Sequence, residues 1–226
     1  MKLALISAGI FVNDSIKNEL KNFIRSDKDF DDVDLLFCIT AANYEGGGMS
    51  GWLLEDLEYF KRLGMSIDVC DINGAEPKFL LERFEDADIL YFGGGITQWL
   101  RSCIKKSGLE EHLPKLLETK IWIGVSAGSC VLAPTVSNPV MDINDDEVIE
   151  GYPVDGLGLV DFQFIPHLNS EFFEDVTEEN VRKACTELTT KDGKKLYALD
   201  DESAMFIDGE NIKIVSEGTW FEIDIA

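Results

Sequence analysis

With 226 residues, 45% of them hydrophobic, the chain has apolar material for one well-buried core and too much for general disorder. Its formal charge of −23, from 43 acidic against 20 basic residues with no basic cluster, would repel a phosphate backbone or an anionic bilayer, so nucleic acid and membranes are excluded as expected partners. Five scattered cysteines without Cys-x-x-Cys spacing fit a reducing cytosol better than a disulfide framework, and two histidines without a clustered ligand set argue against a zinc site, so no metal is expected.

From the N-terminus, Met1 to Gly9 is apolar over too short a stretch for a signal sequence, and Leu3 to Ala8 reads as a first strand. Asn13 to Ile24 has helical periodicity with Asn13 or Asp14 as cap. Val33 to Thr40 is a second apolar run, followed by a glycine-rich loop from Asn43 to Gly51. Leu53 to Leu63 is helical, Ser66 to Ile72 strand-like, and Pro77 to Phe84 a short helix. Ile89 to Phe92 enters Gly93-Gly94-Gly95, Thr97 to Lys106 is helical again, and Leu113 to Leu117 precedes a strand ending at Ser126. This alternation predicts an α/β fold with a mostly parallel sheet flanked by helices on both faces.

Beyond it, Leu157 to Ile165 reads as a strand and Glu178 to Leu188 as a helix. Lys195 to Leu199, Ala204 to Ile207 and Ile212 to Val215 read as short strands, with Asp208-Gly209 as a hairpin signal and Trp220 to Ile225 as a final edge strand. Short antiparallel strands are therefore expected near the C-terminus, and no linker or repeat divides 1–226, so one domain is expected. No apolar run is long enough to span a bilayer.

The densest chemical signal is Gly124-Val125-Ser126-Ala127-Gly128 after the apolar run Ile121 to Ile123. Gly-x-Ser-x-Gly at a strand-to-helix junction is the pattern of a nucleophile elbow, in which side chains at the two glycines would strike the neighbouring backbone. A buried strand followed by a small-residue helix start would give the same letters; the strand-then-helix context favours a catalytic serine.

A serine needs a base to become a nucleophile. His112, among acids at a helix start, reads as a surface histidine, whereas His167 follows a strand directly and would emerge at the sheet edge beside Ser126. The acid is less defined: Asp200, Asp201 and Glu202 follow a strand, while Asp142, Asp145, Asp146, Asp155 and Asp161 lie between serine and histidine, where an α/β-hydrolase would place its acid. Backbone N–H groups of Ala127 and of Gly94 or Gly95 are candidates for an oxyanion hole. The triplet lacks Gly-x-Gly-x-x-Gly spacing and a Walker lysine, which argues against a nucleotide.

Four segments resemble the serine peptidase family typified by aspartyl dipeptidase (peptidase E) and cyanophycinase: Tyr91 to Thr97, Gly124 to Ser129, Gly156 to Leu159 with Pro166-His167, and Ala198 to Ala204. The resemblance implies a class I glutamine amidotransferase-like, flavodoxin-like three-layer sandwich. It also implies Ser126 as nucleophile, His167 as base and Asp201 as acid, in the order serine, histidine, acid, with Asp200 and Glu202 as fallbacks. Cys130, one turn past Ser126, is expected to pack as a small apolar residue.

Two positions depart from the family pattern. Ile96 stands where the family carries Asn or Asp, and Leu168-Asn169-Ser170 replaces a Tyr/Phe-Asp-type continuation. No arginine matches the one that binds an N-terminal aspartate; Arg101 and Arg182 are candidates only by default. The expectation is a cytoplasmic serine peptidase of dipeptides or short peptides that works without a cofactor, with a small peptide as partner and a homodimer as the assembly to test. An esterase or amidase, or a silent binding protein on the same fold, are the rivals, the latter kept open by Ile96.

Overall fold

The computed structural model describes residues 1–25, 29–44, 51–144 and 150–226. Most of the glycine-rich stretch Asn43 to Gly51, together with Asp145 and Asp146, lies outside them. The strands are β1 (Lys2–Ile6), β2 (Asp34–Cys38), β3 (Ser66–Cys70), β4 (Ile89–Phe92), β5 (Ile121–Val125), β6 (Phe162–Ile165), β7 (Lys195–Leu199), β8 (Ser203–Asp208), β9 (Asn211–Ser216) and β10 (Trp220–Asp224). The helices are α1 (Asp14–Phe23), α2 (Gly51–Leu63), α3 (Pro77–Asp86), α4 (Thr97–Ser107), α5 (Leu113–Leu116), α6 (Ala127–Cys130), α7 (Met141–Asn144) and α8 (Glu178–Cys185). Among the described residues no helix is long and apolar enough to cross a membrane.

A seven-stranded sheet runs in the order β3-β2-β4-β5-β1-β8-β9, its first five strands parallel and β8 and β9 antiparallel. Side-chain alternation sorts its residues onto two buried faces. Ala4, Ile6, Leu35, Phe37, Ile89, Tyr91, Ile123 and Val125 pack under Ile16 and Leu20 of α1 and Leu53 and Phe60 of α2. Leu3, Leu5, Leu36, Leu90, Phe92 and Trp122 face Leu80 and Phe84 of α3, Leu100 and Ile104 of α4, and a second sheet. Burial on both faces explains why these strands read as apolar runs rather than clean alternations. Asn13 caps α1 by accepting from the Ile16 N–H at 2.8 Å.

The second sheet corrects two expectations. β6, β7 and β10 form a separate three-stranded sheet, with β6 and β7 parallel and β10 antiparallel to β7. The strand before His167 is therefore not part of the sheet that carries Ser126. Only Phe162–Ile165 of the run Leu157 to Ile165 is a strand; the N–H groups of Leu157, Gly158, Leu159 and Val160 bond instead to carbonyls of Val131, Ala133 and Leu132. Gly156 permits this approach, since a Cβ there would lie 1.9 Å from the Ala133 carbonyl oxygen.

The parallel strands β1, β4 and β5 end at one edge, and antiparallel β8 begins there, with Ile6 opposite both Val125 and Ala204. The turn from β7 into β8 thus delivers residues 200–202 from the small sheet to the C-terminal edge of the large one. Ser7 joins the two sheets: its N–H donates to the Ser203 carbonyl at 3.2 Å, and its fully buried hydroxyl donates to the Leu199 carbonyl at 3.2 Å.

Asp56 braces the chain just past this edge. Fully buried on α2, it accepts from the Ile10 N–H at 2.8 Å and the Tyr91 hydroxyl at 2.7 Å. Burial pushes its pKa up to about 7, against the partial counter-effect of bonds from Tyr91, Ile10 and Phe11. A carboxyl that holds its proton more tightly folded than unfolded stabilises fully below its ordinary pKa of 3.8, and that contribution is lost as pH rises through about 7. Urea unfolding at a series of pH values should therefore show wild type losing on the order of 2–4 kcal/mol relative to Asp56→Asn from about pH 4 to pH 8. Parallel stability curves for the two proteins would contradict this.

Candidate active site

Ser126 occupies the sharp turn between β5 and α6 at φ +48°, with its N–H donating to the Ile6 carbonyl at 2.9 Å. Both flanking glycines are required by close backbone approach: a Cβ on Gly124 would lie 2.3 Å from the Gly128 oxygen, and one on Gly128 2.0 Å from the Phe92 oxygen. The following helix is one turn long, and it is clamped from two sides. Trp122 Nε1 donates to the Gly128 carbonyl at 3.0 Å, and Ser129 Oγ accepts from the Ile6 N–H at 3.1 Å and lies 2.8 Å from the Gly124 oxygen. Cys130 is buried, its Sγ 3.4 Å from the Phe164 carbonyl oxygen.

His167 follows β6 at φ +63°, its N–H donating to Ser7 Oγ at 2.9 Å. Ser126, His167 and Asn169 are the non-glycine residues at positive φ among the described residues. Such conformations cost about 1–3 kcal/mol each and persist where surrounding contacts impose them, commonly at functional sites. Here the backbone bonds to Ile6 and to Ser7 are those contacts.

The imidazole of His167 stands between a hydroxyl and a carboxylate. Its Nε2 lies 3.0 Å from Ser126 Oγ and its Nδ1 2.6 Å from Asp201 Oδ1. Burial alone would raise the pKa of Asp201, but hydrogen bonds from His167 and Ser170 and the charge of His167 outweigh it and hold the carboxyl below its ordinary value. An ionised carboxylate only accepts, so the proton of a neutral imidazole sits on Nδ1 and leaves Nε2 to accept from the Ser126 hydroxyl. His167 is 8% exposed and stacks on Phe173 at 4.1 Å, while Ser126 is half-buried and open to solvent.

Other acids are engaged elsewhere. Asp200 turns its carboxylate back onto the Ser203 hydroxyl at 2.5 Å and the Thr219 N–H, and Glu202 is exposed. Asp155 pairs with Arg101 at 2.7 Å and Asp161 with Lys194 at 2.6 Å; Asp142 lies 3.4 Å from the Ser137 hydroxyl. His112 is exposed near the start of α5.

Of the glycine triplet, Gly93 gives its N–H to the Cys38 carbonyl at 3.1 Å. Gly94 is the one against the serine, since a Cβ there would lie 3.3 Å from Ser126 Cβ and 3.4 Å from the tip of the Trp52 ring. Gly95, at φ +128°, packs its backbone on Ala41. Ala127 opens α6, where an N–H has no acceptor within the helix. Ile96 is the N-cap of α4 without a side-chain cap. Arg101 is spent on Glu110 and Asp155, each at 2.7 Å, and Arg182 on Glu178 at 2.7 Å and the Phe221 ring. Among the described residues no three His, Cys, Asp or Glu side chains form a group that could hold a metal ion.

Sequence reasoning missed Ser7, Trp52, Ser170 and Phe173 as parts of this site. Ser7 had a signal, as a hydroxyl at the end of the first strand; the other three are brought in by tertiary packing.

Comparison with known proteins agrees with this architecture. The chain is 24% identical over 204 residues to an uncharacterized peptidase of Listeria monocytogenes, covering 90% of this chain and 96% of that one. It is 35% identical over 103 residues to peptidase E of Streptomyces coelicolor, a match spanning 45% of this chain and 40% of that one. Among solved structures, a putative peptidase E protein from Listeria monocytogenes superposes with a TM-score of 0.78 at 20% identity, covering 96% of this chain and 98% of the other. The sequence model of peptidase family S51 matches residues 3–215, and the chain belongs to that family of peptidases.

Proposed function

We propose that this peptidase is a serine peptidase of dipeptides or short peptides, working without a cofactor. The observation that carries the reading is the hydrogen-bonded line from Ser126 Oγ through His167 to Asp201 at a solvent-open elbow. Ser126 attacks the scissile carbonyl while His167 Nε2 takes its proton, and Asp201 holds the ring and stabilises the imidazolium. The Ala127 N–H, with that of Gly94 or Gly95, faces the oxyanion. His167 then protonates the leaving amine and activates the water that releases the acyl group. The exchange needs no group beyond substrate, water and these side chains.

The surroundings favour an uncharged or apolar residue beside the cleaved bond over aspartate. The arginines considered for carboxylate binding are committed elsewhere, and the ring of Trp52 borders Gly94 next to Ser126. Trp52→Ala should raise KM about tenfold for peptides with a large apolar residue at the cut, with little change for glycine peptides, because partial burial against an indole contributes about 1–1.5 kcal/mol. A positional peptide library read by mass spectrometry checks this; preferential cleavage at aspartate would reject it. The serine assignment itself is tested with a fluorophosphonate probe, which should label wild type at Ser126. A panel of short peptides against small esters and amides then separates a peptidase from a general acyl hydrolase.

A further inference from the structure

We infer that Ser170 is a positioning residue for this reaction, fixing the carboxylate of Asp201 so that its Oδ1 stays in line with the imidazole of His167. The inference rests on the serine-peptidase reading above. A carboxylate held by one oxygen can swivel about its Cβ–Cγ bond, and the Asp201 side chain is about one-third exposed, so water would otherwise compete for its second oxygen. The Ser170 hydroxyl takes that oxygen, donating to Asp201 Oδ2 at 2.6 Å.

The hydroxyl is itself held. Its oxygen accepts from the Phe172 N–H at 3.4 Å, which leaves its proton for the carboxylate, and the Ser170 N–H donates to the His167 carbonyl at 3.0 Å. These contacts close a ring: imidazole to carboxylate, carboxylate to hydroxyl, and back along the chain to the histidine. Phe173, three residues further on, lies flat against the imidazole, and the Asn169 N–H ties the loop to Val176 at 2.7 Å. Hydrogen bonds to ionised groups are the strong class, and this one closes on the atom group that orients the base.

Among the described residues the charged groups around Asp201 are few. His167 faces it directly, Asp200 turns toward Ser203 and Thr219, and Glu202, Glu171, Glu174 and Asp175 are exposed. Removing the Ser170 hydroxyl leaves that oxygen to water, a less firmly held donor, and makes the carboxylate more basic. The His167–Asp201 couple then takes up its proton at higher pH, and the acid limb of any reaction that needs the neutral imidazole moves upward.

The test uses the full-length protein and the rate of fluorophosphonate labelling at Ser126, measured across pH, so it needs no known substrate. Ser170→Ala should be labelled about tenfold more slowly, with the acid-limb midpoint raised by roughly half a unit to one unit. Ser170→Thr, which keeps the hydroxyl, should restore both. Should the alanine variant not fold, Ser170→Val against Ser170→Thr carries the same comparison at nearly equal shape. A hydroxyl-free variant whose midpoint is unmoved, slower or not, overturns the inference, as does a threonine variant that behaves like it. Wild type that takes no label at Ser126 fails earlier, at the serine-peptidase reading itself.

Discussion

Ser126→Ala is expected to lower peptide hydrolysis by on the order of 10⁴- to 10⁶-fold while leaving the protein folded. The loss is large because nucleophile and base act as one unit; with the hydroxyl gone, His167 has nothing to deprotonate. The fold survives because the side chain contributes little to it: the hydrogen bond that its Oγ makes is to His167 Nε2, and the strained φ of +48° is no worse for alanine than for serine. His167→Ala should be about as inactive, and the double variant hardly worse than either single one. Turnover by chromatography, paired with a thermal melt, reads both halves. Activity above about a hundredth of wild type in the alanine variant would place the nucleophile elsewhere.

Gly128→Ala should be strongly destabilising, costing on the order of 3–5 kcal/mol. Its Cβ would sit 2.0 Å from the Phe92 oxygen and 2.9 Å from Phe92 Cβ, atoms of a fully buried strand whose ring stacks on Trp122 at 3.8 Å. Neither side can yield: Trp122 Nε1 pins the Gly128 carbonyl, and β4 is hydrogen-bonded on both flanks. Against a typical domain stability of about 5–15 kcal/mol, that loss leaves a protein that unfolds in mild denaturant or aggregates. Gly108→Ala makes the contrast, since φ there is +73° but nothing lies within 4 Å of the new methyl. It should cost only about 1–2 kcal/mol, the backbone term alone. Urea midpoints of the two variants settle the comparison; a Gly128→Ala protein within about 1 kcal/mol of wild type would mean that β4 and α6 are less closely packed than these distances require.

Much of this was readable in the amino-acid order because local rules and the tertiary outcome coincide. Strands β1, β2, β4 and β5 of the large sheet are buried on both faces and so appear as apolar runs. Asn13 announces its helix, and the two glycines of the elbow mark where backbones nearly touch. The histidine was legible for a reason that turned out differently: it reaches Ser126 from the end of a strand in a second sheet, not from the same one. Leu157 to Val160 misled because apolar side chains cover the core whether or not their backbone finds a strand partner; here Val131, Leu132 and Ala133 supply the acceptors. The choice among Asp200, Asp201 and Glu202 was invisible to residue chemistry. It depends on which carboxylate the turn aims inward, and Asp200 is drawn away by Ser203 and Thr219. Trp52 and Ser170 carry no local signature, since their roles come from neighbours distant in sequence.

The bridging hydroxyl of Ser7 has a consequence for how the molecule fails. One protein layer carries the Ser126 hydroxyl and another the His167 imidazole with the Asp201 carboxylate, so on the proposed serine-peptidase reading their separation is a property of the seam and not of either layer. On that reading, loosening the seam by an ångström should disable the chemistry while most of the interior is still packed, making catalytic output a finer gauge of interlayer cohesion than any melting curve.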